Sequence, residues 1–158
     1  MLSQAMGYAI SALGHIACAG GKPVLVKDVA VAAGIPQPYL AKIIHALGRR
    51  GFVNTQRGVG GGVTLAKDAD QITLYDVCLA LDPSLAEPRC MLGDAPCSDD
   101  RACPAHTFWK EERRRIMAFL ATTTVADVAA FEARRMAQQI APGRSSPQGG
   151  TFPAPGVA

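Results

Sequence analysis

Charge is scarce in this chain. Lys, Arg, Asp and Glu make up 18% of its 158 residues, against 49% hydrophobic residues. So little charge leaves room for a face covered by a second copy of the chain. Long apolar runs are also missing: no window approaches the roughly 18 apolar residues of a membrane span, so a helical membrane anchor is not expected. No Lys or Arg precedes Lys22, and Gln4 and His15 interrupt the first apolar stretch. Ala17-Cys18-Ala19 therefore lacks the basic leader and unbroken apolar segment of a secretory signal. Five cysteines, an odd number, argue against a closed disulfide framework. The expected compartment is the cytoplasm, where thiols stay reduced and available to metal. Paired carboxylates and a nucleophile–base motif are lacking, and the one glycine run has no Gly-Lys-Ser/Thr ending, so an enzyme is not expected. The formal net charge of +3 permits nucleic-acid binding without demonstrating it.

What is present begins with helical periodicity. Met6, Ile10, Leu13 and Ala17, with Ala9 and Ile16 beside them, predict a helix over about residues 4–19, stopped by Gly20-Gly21. Residues 26–33 predict a short second helix with Val29 and Ala30 inward. After the sharp turn Gly34-Ile35-Pro36, a third helix is expected over about residues 37–50. It would bury Leu40, Ile43, Ile44 and Leu47 and show Gln37, Ala41, Lys42, His45 and Arg49, with Gly51 as the residue that ends it. Helix, short helix, turn and longer helix is the helix-turn-helix order, although a plain helical bundle would share it.

Phe52–Thr55 and Val63–Leu65 then predict two strands around Q-R-G-V-G-G-G, a tip with four glycines. Arg57 at the base of so bare a tip suits entry into a minor groove, where negative potential is focused; a solvated Arg on a flexible hairpin is the plainer alternative. Thr73-Leu74-Tyr75-Asp76 resembles a capping box and opens a helix to about Leu81. Cys78 on that helix, and Cys18 on the first, read as small core residues. A long amphipathic helix is expected over about residues 105–120, carrying Phe108, Trp109, Ile116, Phe119 and Leu120. A further short helix runs from Val125 to about Ile140, behind a second capping sequence at Thr124–Asp127. The Pro- and Gly-rich tail from Pro142 cannot pack a core and is expected to be disordered.

Between these helices lie Cys90, Cys97, Cys103 and His106, spaced C-x6-C-x5-C-x2-H in a polar, turn-rich stretch. Three thiols and an imidazole this close can complete a four-ligand set. Zinc sites generally use tight two-residue Cys pairs, and none is present; wide gaps suit a larger cluster. An iron–sulfur cluster is therefore favoured, with zinc and a metal-free thiol switch still open. Mixed Cys/His ligation favours [2Fe–2S] over [4Fe–4S]. Asp99 and Asp100 read as solvated loop residues, and His15 as a capped or solvated helix residue.

Several motifs belong together. They are Tyr39-Leu40, Leu47 through Gly51-Phe52-Val53, R-G-V-G-G-G-V-T-L-A-K-D at 57–68, Ile72-Thr73-Leu74, Leu81-Asp82, and C-P-A-H before a Trp-containing helix. In this combination the chain resembles the Rrf-two family of winged helix-turn-helix transcription regulators, typified by IscR, NsrR and RirA, over roughly residues 1–135. The resemblance implies a homodimer whose long helices cross antiparallel, placing a recognition helix and wing from each subunit on a palindromic operator in double-stranded DNA. Half-sites about one helical turn apart, ~34 Å, suit such a two-fold dimer. It further implies that Gln37, Tyr39 and Lys42 face the major groove and its phosphates, and Arg57 with Gly58 the minor groove. An iron–sulfur cluster on the three cysteines is implied as well, with the iron–sulfur assembly machinery as a further partner. NsrR-like members can take their fourth ligand from an acidic residue on the first helix; Gly7 stands there in this chain. The Cys103-x2-His106 ending matches the IscR pattern, so His106 is the expected fourth ligand.

The expected fold is mainly α with a small β-hairpin wing. A winged helix-turn-helix DNA-binding domain would span 1–82, a cysteine-rich cluster loop 83–105, a dimerisation helix and C-terminal helix 105–140, and the disordered tail 141–158. The expected function is DNA-binding transcription regulation governed by an iron–sulfur cluster that senses iron or cluster status, redox state or nitric oxide. The alternative is a winged-helix repressor without a functional cluster, answering to zinc, a thiol switch or another effector.

Overall fold

Helix α1 (Gln4–Cys18) organises the molecule, because its stripe of Met6, Ala9, Leu13 and Ile16 is buried along its whole length. Ser3 caps it, its Oγ accepting from the Met6 amide at 3.3 Å. The computed structural model describes residues 2–140 apart from Pro88, Asp94 and Ala102, and the tail expected to be disordered lies outside the described residues. Along the chain follow α2 (Val26–Ala33), α3 (Gln37–Arg49), β1 (Val53–Gln56), β2 (Gly62–Leu65), α4 (Leu74–Leu81), α5 (His106–Thr122) and α6 (Val125–Ile140). This is the mainly helical fold with a two-stranded wing that the sequence predicts.

Helices α2 and α3 meet through Gly34, which adopts the left-handed conformation at φ 67°, and through Ile35, which plugs the core. Leu40, Ile43, Ile44 and Leu47 pin α3 against α1 and leave its other side free. The hairpin pairs Val53 with Leu65 and Gln56 with Gly62 in antiparallel register. Val24, ahead of α2, adds a rung by exchanging backbone hydrogen bonds with Val63 at 2.8 and 3.1 Å. A side chain at position 62 would stand 2.7 Å from the Val24 carbonyl oxygen, so this close approach requires glycine.

The two capping sequences form as read. Thr73 accepts from the Asp76 amide at 3.1 Å while Asp76 accepts from the Thr73 amide, and Thr124 with Asp127 repeats the arrangement ahead of α6. The capped starts are tied together: Leu74 donates to the Thr123 carbonyl and Val125 to the Ile72 carbonyl, both at 2.9 Å. A second core of Met6, Leu74, Cys78 and Leu120 joins α4 to α5. No helix among the described residues is long and apolar enough to cross a membrane.

Two local expectations need correction, both at α1 residues that meet α6. Helix α6 occupies its expected span, Val125–Ile140, and passes so near α1 that a Cβ at Gly14 would meet Val128 Cγ1 at 2.6 Å. His15 is consequently 7% exposed instead of solvated. Its Nε2 lies 3.6 Å from Glu132 Oε2, which Arg135 also approaches at 3.2 Å, while Ser11 donates to Glu132 Oε1. Cys18, expected in the core, is exposed at the end of α1 and donates to the Ala129 carbonyl.

The buried imidazole has a measurable consequence. Burial pushes the His15 pKa below its ordinary value; Glu132 opposes the shift and Arg135 adds to it. The unfolded chain then takes up this proton more readily than the folded one, so stability falls as pH drops below the ordinary histidine range near 6.5 and levels off beneath the folded value. Thermal midpoints of the native chain and His15→Gln are expected to diverge in slope between about pH 7.5 and 5.5, the variant losing part of the acid sensitivity. Parallel slopes would assign that sensitivity elsewhere.

Candidate DNA-binding face and metal-ligand loop

Helix α3 and the wing share one side of the molecule. Gln37 and Lys42 are exposed on α3, and Tyr39 is 40% exposed. Tyr39 is not free to turn: its ring stands edge-on to Tyr8 of α1, with centroids 5.7 Å apart. Gln4 donates to the Tyr8 hydroxyl at 3.0 Å, so α1 braces the start of α3. Arg57 and Gly58 form the exposed base of the wing tip, with Gly58 at φ 95°. Of the sequence-predicted residues, Gln37 and Arg57 line one cleft between α3 and β1, and Tyr39 and Lys42 lie outside it. Arg49 and Asn54 line the same cleft; the sequence placed Arg49 on the exposed side of α3 but assigned neither residue a DNA contact. Arg49 stands four residues after His45, and that spacing was the available signal.

The cysteine loop begins after a tight turn at Pro83–Ala86 and is clamped to α5. Trp109 Nε1 donates to the Arg89 carbonyl at 2.8 Å, and Arg113 to the Leu85 carbonyl at 2.6 Å. The Cys90 amide closes a turn onto the Ala95 carbonyl at 3.1 Å, and the His106 amide one onto the Cys103 carbonyl at 2.9 Å. The four predicted ligands arrive as two pairs. Cys90 Sγ lies 3.8 Å from Cys103 Sγ, and Cys97 Sγ lies 3.2 Å from His106 Nδ1. Among the described residues, no three His, Cys, Asp or Glu side chains converge as a single metal-binding group. The Cys90–Cys103 separation matches that of two thiolates sharing one metal, since at bond lengths of about 2.3 Å to one tetrahedral centre they stand roughly 3.8 Å apart.

Asp99 is exposed, as expected of a loop residue, and is engaged as well. Its Oδ1 meets His106 Nε2 at 2.8 Å and Lys110 Nζ at 2.9 Å. The Lys110 hydrogen bond, then that of His106, hold the Asp99 carboxyl below its ordinary range, and Asp99 in turn raises Lys110. No periodicity links a loop carboxylate to a side chain seven positions on, so the sequence carried no signal for this contact.

Helix α5 buries little. Leu120 is its one fully buried side chain, while Phe108 and Phe119 are 61% and 58% exposed. Leu85, Trp109, Ile116, Met117 and Phe119 border an apolar groove of about 330 Å³ along it. Charges along the helix pair locally, Glu111 with Arg114 and Glu112 with Arg115.

Comparison with known proteins agrees with the fold and identifies the family. A family profile described as "Rrf2: Iron-dependent Transcriptional regulator" matches residues 2–130. An HTH-type transcriptional regulator of Aquifex aeolicus is 33% identical over 86% of this chain and 96% of its own length. The transcriptional regulator IscR of Serratia proteamaculans is 34% identical over 77% of this chain and 74% of its own length. Among solved structures, T. potens IscR superposes with a TM-score of 0.64 at 25% identity, covering 90% of this chain and 93% of that one. CymR, the global cysteine regulator of B. subtilis, shares the fold with a TM-score of 0.67 at 23% identity, covering 83% and 97%.

Proposed function

The chain belongs to the Rrf2 family of DNA-binding transcriptional regulators, and we propose that it is a homodimer whose DNA affinity is set by an iron–sulfur cluster on Cys90, Cys97, Cys103 and His106. The observation that carries this reading is the pairing of donors, Cys90 with Cys103 and Cys97 with His106, on one loop clamped to α5. A [2Fe–2S] cluster takes two protein ligands on each iron, and the two pairs supply two each. When bound, such a cluster supplies a centre sensitive to iron supply, oxidation and nitric oxide.

The remaining steps belong to the chain. Arg89 on the loop and Leu85 in the turn that leads into it accept hydrogen bonds from Trp109 and Arg113, so ordering the loop fixes α5. Leu120 passes that constraint to α4 and to Met6 of α1, and α1 braces Tyr39. Gln37, Tyr39 and Lys42 would meet the major groove, and Arg57 with Gly58 the minor groove. A coupling of about 1–3 kcal/mol along this path changes DNA affinity five- to 150-fold.

Anaerobic purification with iron, sulfide and zinc assays, followed by DNA titration of cluster-loaded and cluster-free protein, tests the proposal. A coloured dimer containing iron and sulfide, with different DNA affinity in the two forms, is expected. A colourless protein that resists reconstitution would remove the cluster and leave the DNA-binding half intact. In that event the Cys90–Cys103 contact favours a second reading: at 3.8 Å the sulfurs need little movement to form a disulfide, and mild oxidation would then alter both thiol count and DNA affinity.

Asp99 is the outer partner of His106 in this arrangement, fixing which ring nitrogen faces Cys97. Asp99→Ala is expected to weaken iron retention by about 10–100-fold against a chelator, with an unchanged thermal midpoint. Unchanged retention would make the contact incidental.

A further inference from the structure

The cleft between α3 and the wing has a volume of about 750 Å³ and two unlike walls. On one, Gln37, Ala41, His45 and Arg49 recur every fourth residue, which stacks them in a row along the exposed side of the helix. Asn54 and Arg57 face them from β1 and the turn after it. The ionisable groups of the cleft are His45, Arg49 and Arg57, and no carboxylate is among the described residues that line it. Among the described residues neither Arg49 nor Arg57 is engaged in an ion pair.

In a double helix, one sugar–phosphate strand separates the major groove from the minor groove beside it. A protein with a helix in the first and a hairpin tip in the second must let that strand pass between them. We propose that this cleft seats the separating strand, with Arg49 and His45 on the helix wall and Asn54 on the hairpin wall holding its phosphodiester groups. The inference rests on the DNA-facing reading of α3 and the wing, and adds residues outside the set assigned to it. Contacts of this kind fix position and orientation on the duplex without reading sequence, so their loss weakens all sequences alike.

Arg49→Gln and the double variant with His45→Gln test it in the full chain. Both positions are exposed, and thermal midpoints should match the native protein. Each protein is titrated by fluorescence anisotropy against two duplexes, one selected by the native chain from a random pool and one with that sequence scrambled, over about 50–200 mM salt. Arg49→Gln is expected to lower the slope of log affinity against log salt by about 1 on both duplexes. Affinity should fall by the same factor on each, leaving the ratio between them unchanged. A native slope in the variants, or a loss confined to the selected duplex, overturns the inference alone. A native chain that binds neither duplex overturns the DNA-facing reading and this inference with it.

Discussion

Cys103→Ala is expected to yield a folded protein that retains neither iron nor sulfide after anaerobic purification. Cys103 has two connections at the centre of the loop. Its sulfur lies 3.8 Å from Cys90, and its carbonyl accepts the His106 amide at 2.9 Å, where α5 begins. The alanine variant keeps the second and loses the first, so the turn into α5 survives while one donor pair becomes a lone thiol. A cluster held by three donors has an open position for water or added thiol, and loss of the metal follows. Two controls separate ligation from folding. Cys18→Ala, at the exposed end of α1, should leave both iron content and stability unchanged. Cys78→Ala, fully buried between α1, α4 and α5, should keep iron and lose on the order of 1 kcal/mol to the cavity. The DNA affinity of Cys103→Ala should equal that of the cluster-free native chain, a five- to 150-fold departure from the loaded form. Full iron in Cys103→Ala would remove it from the ligand set, and iron loss in Cys18→Ala would point to general oxidation sensitivity.

How much of this was legible before the fold depended on the reach of each interaction. The α3 stripe of Leu40, Ile43, Ile44 and Leu47, the capping pairs Thr73–Asp76 and Thr124–Asp127, and the glycine turn of the wing depend on residues within a few positions of each other. Periodicity and cap chemistry therefore placed them to within a residue or two. His15 was misread because its partners, Glu132 and Arg135, arrive on α6 from the far end of the chain, and a lone histidine on α1 gives no sign of being covered. Cys18 failed in the opposite sense: its apolar neighbours suggested a core that in fact ends at Ile16 and Ala17, just before it. In the loop, spacing named four candidate ligands but not which would pair, since C-x6-C-x5-C-x2-H is equally compatible with other pairings. The engagement of Asp99 by His106 and Lys110 depends on loop geometry alone.

Phe108→Glu combined with Phe119→Glu is expected to turn the proposed dimer into a monomer and to reduce DNA affinity more than any loss of a single base contact. Both rings are more than half exposed on α5, and neither belongs to a core cluster of the chain, so charging them leaves the subunit fold in place. Each ring buried against a second copy contributes about 1.5–3 kcal/mol, and a two-fold axis doubles every substitution. Even one effective position per subunit then removes about 3–6 kcal/mol, which weakens dimerisation by roughly 10²–10⁴-fold. Leu120 makes a poor choice for this purpose, because it closes the core against Met6, Leu74 and Cys78 and its loss would unfold α5. Native mass spectrometry and sedimentation report the oligomeric state; the circular dichroism spectrum should keep its helical intensity. Separated subunits each engage one half-site, without the raised effective concentration of a second linked module, and affinity for a palindromic duplex should drop by a further 10²–10⁴-fold, about the gain from joining two sites. Binding to an isolated half-site should be unaffected, because Gln37, Lys42 and Arg57 remain where α1 and the wing hold them. A variant that stays dimeric would place the interface elsewhere than the exposed side of α5, and a monomer with undiminished affinity for the palindrome would mean that the two half-sites are read independently.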